Sequence, residues 1–145
     1  VLDLAESRFT VSEVLDFLDV PAVARRFAID PGGRDALERW LRRARVAWGL
    51  DAKMKAEAGA AATDANSWQF GFDRMYAGLI VGHGAGDELL DGRLRDCWWL
   101  YGSLPLDGVS GSAVEALGQF DHLLGELRRA RSEFAHARPL AAWSE

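Results

Sequence analysis

The chain has 145 residues, a length that suits one domain burying roughly two thirds of its unfolded surface. Apolar residues make up 49% and charged residues 27%, which is ordinary for a soluble globular protein, and seven Phe and six Trp offer heavy anchors for a core. The net charge of −5 excludes a general affinity for nucleic acid, which rests on neutralising phosphates, although basic patches can sit within an acidic whole.

In chain order, TVSEVLDFLDVPAVARRFAID predicts two short helices. Thr10 and Glu13 have the spacing of a capping box, and Asp19 ahead of Pro21 is the expected start of the second helix. The next segment, DPGGRDALERWLRRARVAWGLD, uses Asp30 and Pro31 in the same way. Ala36, Leu37, Trp40, Leu41, Ala44 and Trp48 then recur on one helical face. Gly49 and Asp51 predict a stop and a fresh cap for a short helix over AKMKAEA.

The small, polar tract AGAAATDAN predicts a loop. NSWQFGFDRMYAGLIV then carries Trp68, Phe72, Met75, Tyr76 and Leu79 on one stripe, widened by Phe70, Ala77 and Val81, so its helix should be buried on most sides. A long last helix is expected from Ser112, with Glu115 as capping partner, and Pro139 opens a final turn. Its apolar stripe is Ala113, Ala116, Leu117, Phe120, Leu124, Leu127 and Phe134. The short stretch CWWLYGSLPL is the one strand candidate, and the fold class is all-α.

Three motifs invite a chemical reading. In GLIVGHGAGDELLDG the glycines follow a helical segment and lead into Asp87 and Glu88. A P-loop needs a preceding strand and a terminal Lys-Ser/Thr, and carboxylates there would repel phosphate, so Gly82, Gly84 and Gly86 serve a helix connection. The pair Glu133 and His136 has Glu-x-x-His spacing, but a di-iron bundle needs two such units and two further glutamates. Both residues fall on the polar stripe Glu115, Gln119, His122, Glu126, Arg129, Glu133 and His136, where Arg129 can pair with Glu126 and Glu133. No metal or other cofactor is expected.

RWLRRAR places Arg39, Arg42, Arg43 and Arg45 around Trp40. Asp35 and Glu38 stand four residues before Arg39 and Arg42, so a solvated or partner-facing surface is the first reading and a phosphate track the second. Ser12, Ser110 and Ser112 read as caps or turn residues, and no catalytic residue is assigned. The lone Cys97, among apolar neighbours, reads as a buried small hydrophobe in a protein of the reducing cytoplasm. No apolar run approaches the roughly 20 residues of a membrane span. Trp40, Trp48, Trp68 and Phe70 are the expected structural anchors of the core.

Three runs, LDVPAVARRFAID (18–30), WLRRARVAWGLD (40–51) and NSWQFGFDRMYAG (66–78), resemble in order and spacing a region of RecC. RecC is the gamma subunit of bacterial exodeoxyribonuclease V, the RecBCD helicase–nuclease. Leu104-Pro105 and the run from Arg138 to Trp143 extend the resemblance over nearly the whole chain. The resemblance implies a helicase-like subunit without ATPase motifs that scaffolds RecB and RecD, splits DNA and helps read Chi. It further implies the helical 2B-type insertion subdomain of a UvrD-like helicase fold, with no catalytic residue in this region. Residues 1–145 would then be one helical domain of a much larger subunit, as the start at Val1 instead of methionine leads us to expect. One departure stands at Gln69, where relatives often carry a positive charge.

Overall fold

A computed structural model describes residues 7–81 and 104–134. Helix α1 (Val11–Leu18) starts where its sequence dictates. The Thr10 hydroxyl accepts the Glu13 N–H at 3.3 Å, and the Glu13 carboxylate accepts the Thr10 N–H at 2.7 Å. Burial pushes the Glu13 carboxyl up, but its bonds to Thr10 and Ser7 together outweigh that and hold it below the ordinary value.

Helix α2 (Pro21–Arg26) corrects one expectation: its N-cap is Val20, with no side-chain cap bond, and Asp19 instead closes α1. The Asp19 carboxylate is claimed from farther away. Arg34 donates to it through Nε at 2.8 Å and Nη2 at 3.1 Å, pulling the Asp19 carboxyl down. Because Arg34 also pairs with Glu38 and lies on the next helix, this contact docks the α1–α2 corner onto it.

Helix α3 (Pro31–Ala44) is capped by Asp30, whose carboxylate accepts the Gly33 N–H at 2.6 Å. Ala36, Leu37, Trp40, Leu41 and Ala44 form its buried face. The helix ends at Arg45, whose φ of 60° is the left-handed conformation that usually falls to glycine. Asp51 then caps α4 (Ala52–Glu57) by accepting the Met54 N–H at 2.8 Å. On α4 Lys55 is buried, its stem packed against Gly49 and its ammonium donating to the Ala65 carbonyl. Burial pushes its pKa down, partly offset by Asp64.

Helix α5 (Trp68–Val81) begins after Ser67, a fully buried hydroxyl that accepts the Phe70 N–H at 3.1 Å. Trp68, Phe72 and Met75 point into the core. The last helix, α6 (Val114–Phe134), opens two residues later than Ser112, with the Val114 N–H bonded to the Gly111 carbonyl at 3.2 Å. It buries Ala116, Leu117, Phe120, Leu123, Leu124 and Leu127. Leu123 broadens the expected apolar stripe because α6 is embraced from two sides, by α3 and by α5.

The centre of the fold is this α3–α5–α6 contact. Gly33 lets α3 approach α6, since a Cβ there would stand 2.7 Å from the Ala116 Cβ. Trp68 meets Phe120 edge-on with ring centroids 5.7 Å apart, and Phe72 stacks on Phe120 at 6.2 Å. The segment leading to α6 crosses α5 at close range: the Leu106 N–H donates to the Arg74 carbonyl at 2.8 Å, and Val109 and Leu106 enter the core.

Among the described residues every regular element is a helix, in agreement with the all-α class. Leu104 to Leu106, the end of the strand candidate, carries no strand, and its remainder lies outside the described residues. So do Gly82, Gly84, Gly86, Cys97, His136, Pro139 and the run from Arg138 to Trp143.

Candidate interaction surface

The four arginines of the sequence motif do not behave alike. Arg39, Arg42, Arg43 and Arg45 are all exposed, near or just beyond the C-terminus of α3. Arg42 is engaged, its Nη2 donating to Glu38 at 2.9 Å. The expected partner pair Asp35–Arg39 is absent: among the described residues Arg39, Arg43 and Arg45 have no carboxylate within 4.0 Å. Exposed i,i+4 pairs contribute about 0.3–0.5 kcal/mol, too little to hold two long side chains together by spacing alone. Asp35, Glu38, Arg39, Arg42 and Arg43 line one shallow surface depression.

The four aromatic residues also divide. Trp40 is buried and donates its indole N–H to the Gly108 carbonyl at 3.2 Å. Trp68 is buried and donates to the Phe9 carbonyl at 2.7 Å. Trp48 and Phe70 are half-buried, and each carries cations on its ring. The Arg8 guanidinium and Lys55 ammonium lie 5.7 and 5.4 Å from the Trp48 ring, and the Arg74 guanidinium 5.7 Å from Phe70. A tryptophan or phenylalanine with a cation against its ring gains from the ring's quadrupole without leaving the surface.

On α6 the polar stripe holds a salt bridge from Arg129 to Glu126 at 2.6 Å and an approach of His122 to Glu126 at 3.8 Å. Glu133 is exposed. Among the described residues no three His, Cys, Asp or Glu side chains are grouped to hold a metal ion, and no helix is long and apolar enough to cross a membrane.

Residues 1–145 match the family described as RecBCD enzyme subunit RecC fourth domain. The chain belongs to the RecC fourth-domain family. It is 34% identical over 143 residues to the RecBCD enzyme subunit RecC of Mycolicibacterium smegmatis and 34% identical over 143 residues to that of Escherichia coli. The corresponding subunit of Mycobacterium tuberculosis strain H37Rv is 29% identical over 143 residues. Each of these alignments covers 99% of this chain and 12% of the relative, so the chain spans a small part of the RecC subunits it matches.

Two polar features of this RecC-family chain escaped the sequence reading. Arg74, mid-way along α5, donates through Nε to the Leu104 carbonyl at 2.9 Å and through Nη1 to the Ala44 carbonyl at 3.0 Å. It thereby ties α5 to the end of α3 and to the crossing segment. Burial, and secondarily the Arg45 charge, push its pKa down.

The second is Tyr76, whose hydroxyl donates to Asp121 at 2.8 Å across a groove of about 210 Å³ between α5 and α6. Burial first, then the bond to Asp121 and its charge, raise the phenol above its ordinary value of 10.0. Below pH 10 the folded and unfolded chains both hold this proton, and the tether contributes fully. Above it the unfolded chain sheds the proton first, so stability falls as pH rises toward the folded pKa. Unfolding midpoints of the native chain should therefore drop more steeply above about pH 10 than those of Tyr76→Phe, measured by denaturant titration across pH.

Proposed function

We propose that the chain is a non-catalytic scaffold domain of a RecC subunit, working within a RecBCD helicase–nuclease beside RecB and RecD. The observation that carries this reading is the match of residues 1–145 to the RecC fourth-domain family. The chemistry supports it: the large side chains are spent on a core, and the buried polar groups Lys55 and Ser67 are spent on backbone hydrogen bonds. In this reading residues 1–145 are one helical domain, of the 2B type inserted in UvrD-like helicases. The complex acts in the cytoplasm on DNA, in repair of double-strand breaks and the response to Chi. The domain contributes shape and contact surface, and the chemistry belongs to other parts of the assembly.

If so, the exposed titratable side chains of α6 have no catalytic part. Full-length subunit carrying His122→Gln and Glu133→Gln should assemble with RecB and RecD and show nuclease and ATPase turnover within about twofold of the native complex, as surface substitutions of this kind change stability little. Loss of turnover in a complex that assembles normally would contradict the reading.

A second reading, direct contact with DNA by the arginine end of α3, is favoured by one observation. Arg39, Arg43 and Arg45 lack acidic partners among the described residues, leaving their charge available to a polyanion.

A further inference from the structure

Arg45 and Arg74 form an unusual pair. Arg45 occupies the left-handed position after α3, at φ 60°, where a glycine would sit without strain and complete the same helix end. A charged, exposed side chain is kept there all the same. Its peptide is fixed from both sides: Asn66 Nδ2 donates to the Arg45 carbonyl at 2.8 Å, and Arg74 Nη1 donates to the adjoining Ala44 carbonyl at 3.0 Å.

Arg74 is fixed as well. Nε and Nη1 are committed to the Leu104 and Ala44 carbonyls, and its guanidinium lies by the Phe70 ring, 5.7 Å from the centroid. Among the described residues Nη2 has no acceptor, and neither arginine has a carboxylate within 4.0 Å. The Arg74 guanidinium is thus fastened to the carbonyl that adjoins Arg45, the residue whose exposed side chain leaves from the same helix end.

We propose that Arg45 and the uncommitted Nη2 of Arg74 form a binding site for a phosphate group of a nucleic-acid strand, with Arg43 and Arg39 continuing the track along α3. This rests on the second reading above and gives it a centre that the sequence motif alone does not, because Arg74 lies outside the motif and Arg42 is spent on Glu38. The donor geometry favours phosphate over a carboxylate. A carboxylate is best met by two parallel N–H groups of one guanidinium edge, whereas Arg74, with Nε and Nη1 committed, offers Nη2 and needs a second donor from another direction. A phosphodiester accepts from separate directions, and its repeat suits a row of unpaired cations. A bound anion also offsets the burial, and secondarily the Arg45 charge, that push the Arg74 pKa down.

The test is anisotropy of a labelled single-stranded oligothymidylate titrated with the 145-residue chain across a salt series. Arg45→Gly is the decisive variant, since it removes the charge while suiting the backbone. It should weaken binding about five- to tenfold and reduce the salt slope by about one, with a thermal midpoint equal to or above the native value. Arg45→Lys should recover most of the affinity, and Arg42→Ala should change it less than about twofold.

Three outcomes would overturn the proposal. They are Arg45→Gly binding as tightly as the native chain, a polyglutamate peptide competing as well as the oligonucleotide, and inorganic phosphate binding without any binding of the strand. None of these touches assembly with RecB and RecD, so the site can fail while the scaffold reading stands.

Discussion

Replacing Gly78 by alanine will destabilise the chain by about 3 kcal/mol or more, although alanine is the better helix former by about 1 kcal/mol. Gly78 lies in α5 under the crossing segment, and a Cβ there would overlap the backbone carbonyl of Leu106. Backbone cannot swing away as a flexible side chain can. The crossing segment must lift, and with it go the Leu106–Arg74 hydrogen bond and the burial of Leu106 and Val109. Gly125 on α6 provides the contrast, because a Cβ there meets nothing within 4 Å. Gly125→Ala should stabilise by about 0.5–1 kcal/mol through helix propensity alone. Urea midpoints that move in opposite directions for the two substitutions would establish the close approach; midpoints that both rise would disprove it.

The second large effect is at Trp68. Its side chain is 1% exposed, packs edge-on to Phe120 and donates its indole N–H to the Phe9 carbonyl at 2.7 Å. Trp68→Ala should cost about 3–5 kcal/mol, the range for emptying an aromatic site in a packed core. Trp68→Phe separates the two contributions. It keeps most of the apolar volume but leaves the Phe9 carbonyl without its donor, at a cost of about 1–3 kcal/mol for the unsatisfied group and a further part for lost volume. Denaturant titrations followed by far-UV circular dichroism read both variants on one scale. Equal losses for Phe and Ala would assign the whole effect to the hydrogen bond, and a neutral Phe variant would assign it all to packing.

The parts of this fold that were legible in the sequence are those fixed by neighbours along the chain. Thr10, Asp30 and Asp51 cap helices because a short oxygen side chain reaches an N–H three residues on, and that reach depends on local spacing alone. The core face of α3 follows from helical periodicity in the same way. Asp19 shows where this stops. Its position ahead of Pro21 matches that of a cap, but the carboxylate is won by Arg34, fifteen residues away, and a charged partner outcompetes a backbone N–H.

Burial of aromatic residues was legible only in part. Trp40 and Trp68 lie in the core, while Trp48 and Phe70 stay half-buried, with Arg8 and Lys55 from other segments against the Trp48 ring and Arg74, one turn on in α5, against Phe70. An arginine such as Arg74 in the middle of an amphipathic helix reads as a surface charge. Its carbonyl partners on Ala44 and Leu104 are each thirty residues away, so no local pattern announces them. Gly78 was invisible for the same reason, since its role depends on which segment crosses the helix. The arginine motif was found as a motif, and only the structure separates Arg42, paired with Glu38, from Arg39, Arg43 and Arg45.

A scaffold governs assembly and leaves the chemistry of the assembled complex unchanged. The most direct measurement is made on full-length RecC subunit carrying Gly78→Ala, combined with RecB and RecD. Recovery of the three-subunit complex by size-exclusion chromatography is compared with nuclease and unwinding rates per assembled complex. If the chain is a scaffold, less complex forms and each complex recovered works at the native rate. Normal recovery with a reduced rate per complex would contradict that role and place part of the chemistry in this domain.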